Sequence, residues 1–298
     1  MADEWVYVIV LNYNGGIDTI DCIYSIQRST YQKIKILIVD NGSQDDSVKK
    51  IEEVFPDLDV VQTGKNLGFA GGNNVGIQRA ICEGADYICV LNNDVVISED
   101  MIEKLIKSLQ QNKRRIVGPV TMIWDTDKVH STGLKIDFYT GTAHIINLQE
   151  DYFRIDKQNL HCDYLEGTCL MFTRDFVEEV GMIPEVYFLY YEETEWCCTA
   201  KKKGYEVVCV PLAQLWHKGS VTANKITGLK LYFEDRNRVL FERRNAPYIK
   251  KIFFYLYFMI QLIYRMLSKQ RDWRALRAVK DGFRGRIDWT IYDVDTDA

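Results

Sequence analysis

The sequence lacks several patterns that identify common classes of protein. Its eight cysteines form no CxxC pair and no zinc-ligand spacing, so we expect reduced packing residues in a cytoplasmic protein. Neither a GxGxxG fingerprint nor a GxxxxGK[ST] loop is present, which argues against dinucleotide and P-loop sites. The apolar stretch at residues 252–267 is interrupted by Gln261 and Arg265 and falls short of the roughly 20 residues that a membrane-spanning helix needs.

Charge is distributed unevenly along the 298 residues. The formal net charge is -5, yet residues 236–288 hold 14 Lys/Arg against 4 Asp/Glu, and the rest holds 23 against 38. A basic end on an acidic body indicates an anionic partner such as a membrane surface, or else a solvated helical face. Nucleic-acid binding is not expected, because it would require a basic surface on the main body too.

The first half alternates apolar strand patterns with amphipathic helix patterns. Strands are predicted at residues 5–11, 34–39, 58–62, 87–91 and 115–118, with helices between them. Strands that are apolar on both faces and alternate with helices predict an α/β fold with a mostly parallel sheet covered on both sides.

The pattern changes after Pro119. Residues 133–147 are typical of a hairpin, residues 164–172 and 207–210 of strands, and residues 174–180 and 193–204 of helices. From residue 227 the pattern is helical, and basic residues follow the stretch at 252–267. We therefore expect an interfacial amphipathic helix, with a core helix or a dimer contact as the alternative.

Polar clusters follow three of the strands, and ligands bind at the carboxyl ends of strands in open parallel sheets. The clusters are Asn12, Tyr13 and Asn14; Asp40; and Asn92, Asn93 and Asp94. Each alone could be a turn. Asp40 can accept a hydrogen bond from the imide N–H of a pyrimidine, and Tyr13 can cover the face of a base.

A glycine-rich loop, GKNLGFAGGNN, precedes the third predicted helix. Gly68 and its neighbours permit close approach of backbone around Phe69, and Asn73 offers an amide at the helix start.

Two further residue types suit catalysis. Asp94 is a natural ligand for Mg²⁺ or Mn²⁺ beside a diphosphate, and His217 is either a second ligand or a loop histidine. Glu192 and Glu193 follow an aromatic run, and a carboxylate against apolar walls can serve as a general base. Charges at a helix start are also common for capping reasons alone.

These segments together carry a family resemblance. They are VIVLNYNGG, ILIVDNGSQDDS, NLGFAGGNNVGI, YICVLNNDVVI, YLEGTCLMFTRD, FLYYEETEWCCTAKKKGY, WHKGS and DRNRVLFERRN. In this order the chain resembles family-2 glycosyltransferases of the GT-A fold, particularly the rhamnosyltransferase-like branch of bacterial polysaccharide synthesis. The resemblance extends over residues 6–245.

The resemblance implies a role for each matching residue. Asp40 would bind uracil or thymine with Tyr13 and Asn73 nearby, and Gly167 would belong to the same donor site. Asn92, Asn93 and Asp94 would occupy the DxD-type position, with His217 as a further metal ligand. Glu193 would stand where the family has the Asp of its ED motif, and Arg236, with Arg238, would face a phosphate.

The expected protein is thus an inverting, metal-dependent glycosyltransferase. It would move a sugar from dTDP-rhamnose or a UDP-hexose to a hydroxyl of a glycan or lipid-linked acceptor in cell-wall polysaccharide synthesis. Residues 1–225 would form the catalytic GT-A domain, and residues 226–298 a basic helical region that associates with the inner membrane face or forms a homodimer. A non-catalytic binding subunit and a nucleotidyltransferase remain the alternatives.

Overall fold

The computed structural model describes residues 4–219, 227–267 and 273–288. The strands within them are β1 (Val6–Asn12), β2 (Ile34–Asp40), β3 (Val60–Gln62), β4 (Tyr87–Asn92), β5 (Val95–Ile97), β6 (Arg115–Ile123), β7 (Val129–Ser131), β8 (Leu134–Asp137), β9 (Thr142–Ile145), β10 (Leu160–His161), β11 (Cys169–Thr173) and β12 (Glu206–His217). The helices are α1 (Gly16–Gln27), α2 (Ser47–Val54), α3 (Gly68–Cys82), α4 (Met101–Gln111), α5 (Arg174–Val180), α6 (Glu192–Lys202), α7 (Thr227–Asn245), α8 (Tyr248–Leu267) and α9 (Trp273–Arg284).

One ten-stranded sheet forms the centre of the molecule. Its main path runs β10-β12-β6-β11-β4-β1-β2-β3, with β5 beside β12 and β7 beside β6. Strands β4, β1, β2 and β3 are parallel neighbours, as are β6 and β12, whereas β11 runs antiparallel between β4 and β6. This confirms the mostly parallel sheet flanked by helices, and β8 and β9 form the predicted hairpin.

The central strands are apolar on both faces because helices cover both sides of the sheet. In β1, Val8 packs in a cluster with α1 and α4, whereas the next residue, Ile9, packs in a cluster with α3 and α6. Each fully buried aliphatic side chain of this kind contributes about 1.5–3 kcal/mol. Continuous apolar runs, rather than alternating ones, are the consequence.

Three predicted strand boundaries were wrong. Strand β6 continues through Pro119 to Ile123, β12 continues to His217, and β11 begins only at Cys169. Pro119 pairs with Val210 at the point where the register between β6 and β12 shifts. A proline, which lacks a backbone N–H, is tolerated at such an irregularity, so the strand does not end there.

The C-terminal helices pack on the body through aromatic side chains. Phe241 of α7 lies in a cluster with Tyr187, and Phe254 and Phe258 of α8 pack on Val239 of α7. The expected domain boundary between residues 225 and 226 lies outside the described residues. Of the helices in the described ranges, none is long and apolar enough to span a bilayer.

Candidate active site

The polar clusters that follow β1, β2 and β4 meet at one edge of the sheet. Strand β1 lies between β2 and β4, and the register places Asn12 opposite Asp40 and Leu11 opposite Asn92. The Asn12 amide donates a hydrogen bond of 2.7 Å to Oδ1 of Asp40. This arrangement agrees with the expectation from the strand ends.

Asp40 is a buried carboxylate beside an open cleft of about 360 Å³. Its Oδ2 accepts a hydrogen bond from the backbone N–H of Ser43 at 3.0 Å, so both oxygens are held in place. Tyr13, Lys65 and Asn66 also line this cleft, which we name the Asp40 cleft. Each carboxylate oxygen keeps a free lone pair, so Asp40 can still accept a hydrogen bond from a ligand.

Asn41 fixes the glycine-rich loop beside the cleft. Its amide donates to the carbonyl of Gly68 at 3.0 Å, and its Oδ1 accepts from the N–H of Leu67 at 2.9 Å. Gly68 has φ +75°, and a Cβ there would lie 2.4 Å from the carbonyl oxygen of Phe188, so only glycine fits. The Phe69 N–H donates to that same carbonyl at 2.8 Å, which ties the loop to residue 188.

Asn73 does not line the cleft. It is fully buried in α3, and its amide donates to the Phe69 carbonyl at 3.0 Å, one helical turn back. Its Oδ1 has no hydrogen-bond partner among the described residues. The expected contact between Asn73 and a base is therefore corrected, because this internal bond keeps the side chain within the helix packing.

The remaining polar residues of this edge shape the backbone around it. The Asn93 amide donates to Oγ1 of Thr19 at 3.0 Å and to the Gly15 carbonyl at 3.3 Å, which joins the end of β4 to α1. Asn14 is exposed, and its Oδ1 accepts from the N–H of Gln44 at 2.8 Å.

Gly167 lies against the glycine-rich loop. A Cβ at Gly167 would meet the ring of Phe69 at 3.1 Å. The next residue, Thr168, accepts a hydrogen bond from the N–H of Asn92 at 3.0 Å. Gly167 therefore joins the same sheet edge, although it lies in the segment before β11.

Asp94 and His217 come together through strand pairing. β5 runs antiparallel to β12, and this register sets His217 opposite Val95. The His217 Nε2 lies 3.1 Å from Oδ2 of Asp94, and the Lys218 N–H donates to the Asp94 carbonyl at 2.9 Å. His217 thus ends a strand rather than lying in a loop.

This pair suits a divalent cation as part of its ligand set. Carboxylate oxygen and imidazole nitrogen are both ligands of Mn²⁺, and Mg²⁺ is commonly held by one or two carboxylates plus substrate phosphates. Within residues 4–219, 227–267 and 273–288, no group of three His, Cys, Asp or Glu side chains is placed to hold a metal. A cation held by these two residues would keep coordination positions open for oxygens of other ligands.

The aromatic loop, residues 187–191, joins the glycine-rich loop to α6. Phe188, Tyr190 and Tyr191 have φ of 67°, 68° and 75°, a conformation that costs bulky residues on the order of 1 kcal/mol or more each. The buried amide of Asn237 lies 2.7–3.1 Å from three carbonyls of this loop, those of residues 187, 189 and 190. Helix α7 therefore holds the aromatic loop in its strained shape.

Arg236 has a structural position rather than a phosphate-facing one. It is fully buried, and its guanidinium donates to the carbonyls of Val186 at 2.6 Å and Arg286 at 2.9 Å. The expectation that Arg236 faces a phosphate is thus corrected. Together with its neighbour Asn237, Arg236 holds the backbone around the aromatic loop, so its guanidinium does not face a phosphate site.

Glu192 and Glu193 begin α6 and face different surroundings. Glu192 is buried, its Oε2 has no partner among the described residues, and burial raises its pKa well above the usual range. Glu193 lines a cavity of about 380 Å³. Burial raises the pKa of Glu193 to about 7, and the Glu166 carboxylate acts in the same direction. Glu193 is therefore the carboxylate that can meet a ligand.

This second cavity, the tyrosine cavity, is lined by Tyr164, Tyr190 and Tyr191 together with Glu193, Glu234 and Arg238. The Arg238 Nε donates to the Thr140 carbonyl at 3.0 Å.

Sequence reasoning missed Glu166, which pairs with His130 at 3.1 Å. These two residues come from separate segments, and no spacing pattern connects them.

Comparison with known proteins identifies the family. Residues 7–181 match the model of glycosyl transferase family 2. The chain is 26% identical over 299 residues to dTDP-rhamnosyl transferase RfbF of Shigella flexneri, covering 94% of this chain and 96% of that protein. It is 24% identical over 230 residues to the N-acetylglucosaminyl-diphospho-decaprenol L-rhamnosyltransferase of Mycobacterium tuberculosis, covering 70% of this chain and 75% of that protein.

The fold is also similar to a solved structure, that of GalNAc-T7 with UDP, GalNAc and Mn²⁺. The TM-score is 0.61 at 13% identity, over 90% of this chain and 58% of that chain. A likeness at this identity concerns the fold alone. The family match covers more than half of the chain, so the chain belongs to glycosyltransferase family 2 and has the GT-A fold. Within this family it is similar to the two rhamnosyltransferases named above.

Proposed function

We propose that this protein is an inverting glycosyltransferase that moves a sugar from dTDP-rhamnose or a UDP-hexose to a hydroxyl of a glycan or lipid-linked acceptor. One observation carries the proposal. Glu193, whose pKa burial raises to about 7, faces the tyrosine cavity at one end of the aromatic loop. The Phe188 carbonyl of that loop accepts a hydrogen bond from the glycine-rich loop. Asn41, the residue after Asp40, holds the glycine-rich loop in place.

The Asp40 cleft takes the pyrimidine of the donor. An imide N–H of uracil or thymine donates to a carboxylate oxygen, which is the interaction that the held Asp40 offers. Tyr13 borders the same cleft and can cover the base face. The name of the Shigella relative supports dTDP-rhamnose.

Asp94 and His217 would hold Mg²⁺ or Mn²⁺ at the diphosphate. The ion, when bound, supplies positive charge that stabilises the departing nucleoside diphosphate. The two side chains already lie 3.1 Å apart, so the ligand set is preorganised by the β5–β12 pairing.

Glu193 acts as the general base. It removes the proton of the acceptor hydroxyl as that oxygen forms a bond to the anomeric carbon of the sugar. The bond from this carbon to the diphosphate oxygen breaks at the same time, and the nucleoside diphosphate leaves. A base on the acceptor side and a single displacement invert the anomeric centre.

The tyrosine cavity takes the acceptor. Its aromatic rings can pack on the apolar faces of sugar rings, and its volume of about 380 Å³ is suited to a small saccharide. The name of the mycobacterial relative supports a lipid-linked acceptor. We assign the reaction to cell-surface polysaccharide synthesis and place it in the cytoplasm. The cytoplasmic location is supported by the eight cysteines, none of which forms a disulfide.

A donor screen tests this function. The purified protein is given Mn²⁺ or Mg²⁺ and a panel of UDP-, dTDP- and GDP-sugars, and release of nucleoside diphosphate and thermal stabilisation are measured. We expect one pyrimidine donor to be selected, and the response to be lost with EDTA and in Asp94→Ala. A well-folded protein that responds to no donor, with or without glycan acceptors, would instead favour a non-catalytic binding subunit.

A further inference from the structure

The outward side of α8 is an uncharged apolar surface. Ile249, Phe253, Leu256, Ile260, Ile263 and Leu267 recur at intervals of three and four residues, and each is 52–82% exposed. Side chains with this spacing lie on one face of a helix. We name this set the α8 face. Exposed apolar patches of such length mark interaction sites in soluble domains.

The opposite side of α8 is fixed to the body. Phe254 and Phe258 are buried against Val239 of α7. The guanidinium of Arg238 lies 5.0 Å from the centroid of the Phe258 ring, in cation–π contact. The helix is therefore held in one rotation about its axis, and the α8 face points away from the protein.

Positive charge borders the α8 face. Helix α9 lies beside α8: the ring centroids of Tyr255 in α8 and Phe283 in α9 are 5.4 Å apart. Lys280 and Arg284 of α9 are exposed, as is Arg277, which pairs with Asp288 at 3.0 Å. Over residues 248–286 the sequence has 10 Lys/Arg against 2 Asp/Glu, on a protein that is otherwise acidic. This charge complements an anionic surface and would repel a second copy of the same helices.

The buried side of α8 borders the tyrosine cavity. Arg238 lines the cavity and also lies over the Phe258 ring. Gly141, another lining residue, is so close to Phe254 that a Cβ would lie 2.6 Å from its ring. Because these contacts are made by the buried side of α8, a surface seated on the α8 face would lie across this helix from the cavity.

We propose that the α8 face, with the exposed basic residues of α9, docks on a bilayer of anionic lipids, α8 lying in the plane of the interface. Such helices bury one apolar face among the lipid headgroups while basic side chains contact anionic lipids. The bilayer, with any acceptor that is anchored in it, then lies across α8 from the tyrosine cavity. Only the presence of a lipid-linked acceptor rests on the proposed function; the docking on the bilayer does not.

Vesicle sedimentation of the full chain tests the docking without donor or acceptor. Vesicles of phosphatidylglycerol and phosphatidylcholine are compared with vesicles of phosphatidylcholine alone. We expect binding to the anionic vesicles that weakens as salt is raised. The double variant Ile260→Glu, Ile263→Glu should lower the partition coefficient by at least about tenfold, because two apolar side chains leave the interface. Lys280→Gln with Arg284→Gln should lower binding to anionic vesicles only.

Phe153→Glu is the matched control, since Phe153 is 78% exposed and lies outside the C-terminal helices. It should bind like the unchanged protein. The proposal is overturned if the unchanged protein does not bind anionic vesicles, or if the Ile260/Ile263 double variant binds them equally well. It is also overturned if light scattering shows that the unchanged protein is a dimer, that the double variant is a monomer, and that neither binds vesicles. Donor hydrolysis measured without vesicles reports separately on the proposed function and should be equal in the Ile260/Ile263 variant.

Discussion

The His217 imidazole lies 3.1 Å from the Asp94 carboxylate, although 123 residues separate them in sequence. Strand β5 follows Asp94 directly, and its antiparallel pairing with β12 sets Val95 opposite His217. The two side chains are thus positioned by backbone hydrogen bonds of the sheet, as the metal site proposed above requires.

Loss of either ligand should weaken metal binding. His217→Gln and Asp94→Asn are expected to raise the Kd for Mn²⁺, in the presence of UDP or dTDP, by at least about tenfold, because one of two protein ligands is lost. Titration calorimetry measures this. His161→Gln, at an exposed position of β10, should leave the Kd unchanged. Equal Mn²⁺ affinity in all three variants would contradict the assignment.

Glu193→Gln and Glu192→Gln should have opposite outcomes. Glu193→Gln removes the base and should lower kcat about 100-fold or more with little change in the KM for the donor. Glu192→Gln should retain kcat, because the Glu192 carboxyl is buried away from the cavity and one of its oxygens has no partner among the described residues. Steady-state kinetics with the donor found by the screen measures kcat for both variants. A larger loss of kcat in Glu192→Gln than in Glu193→Gln would identify Glu192 as the base instead.

The rate should rise with pH through the pKa of Glu193. Burial raises this pKa from 4.5 to about 7, so the carboxyl is protonated at lower pH and cannot accept the proton of the acceptor. Therefore kcat/KM should increase about tenfold per pH unit below about 7 and become constant above it. The residual activity of Glu193→Gln should lack this rise. A profile that is flat from pH 5 to 8 in the unchanged enzyme would rule out Glu193 as the base.

Asn237 is a positioning residue for the aromatic loop, and Asn237→Leu should reduce catalysis without removing a reacting group. The carbonyls of residues 187, 189 and 190 lose their shared donor, which should lower the free energy of unfolding by about 1–3 kcal/mol. As the loop relaxes, kcat should fall and the pH midpoint assigned to Glu193 should shift, because its burial changes. Denaturant unfolding and the pH profile measure the two effects. Asn159→Leu, which breaks one 3.2 Å bond to Ser108, is the control and should shift neither.

Most of the fold follows from the order of apolar runs. The runs that became β1, β2 and β4 are apolar on both faces and have helices between them, so they had to form a covered, mostly parallel sheet. In contrast, the antiparallel insertion of β11 could not be predicted. The pairing partner of one short apolar strand depends on which neighbours remain unpaired after the rest of the sheet has formed.

The sequence by itself determined that Asn12, Asp40 and Asn92 share one sheet edge, because the carboxyl ends of parallel neighbours coincide. Only the tertiary structure decided which polar side chains stay open to a ligand. Asn73 and Arg236 carry suitable groups, yet hydrogen bonds to backbone carbonyls hold them inside the protein. Of the two adjacent glutamates, Glu193 lies at the cavity, which residues of α7 from far along the chain also line, whereas Glu192 is buried.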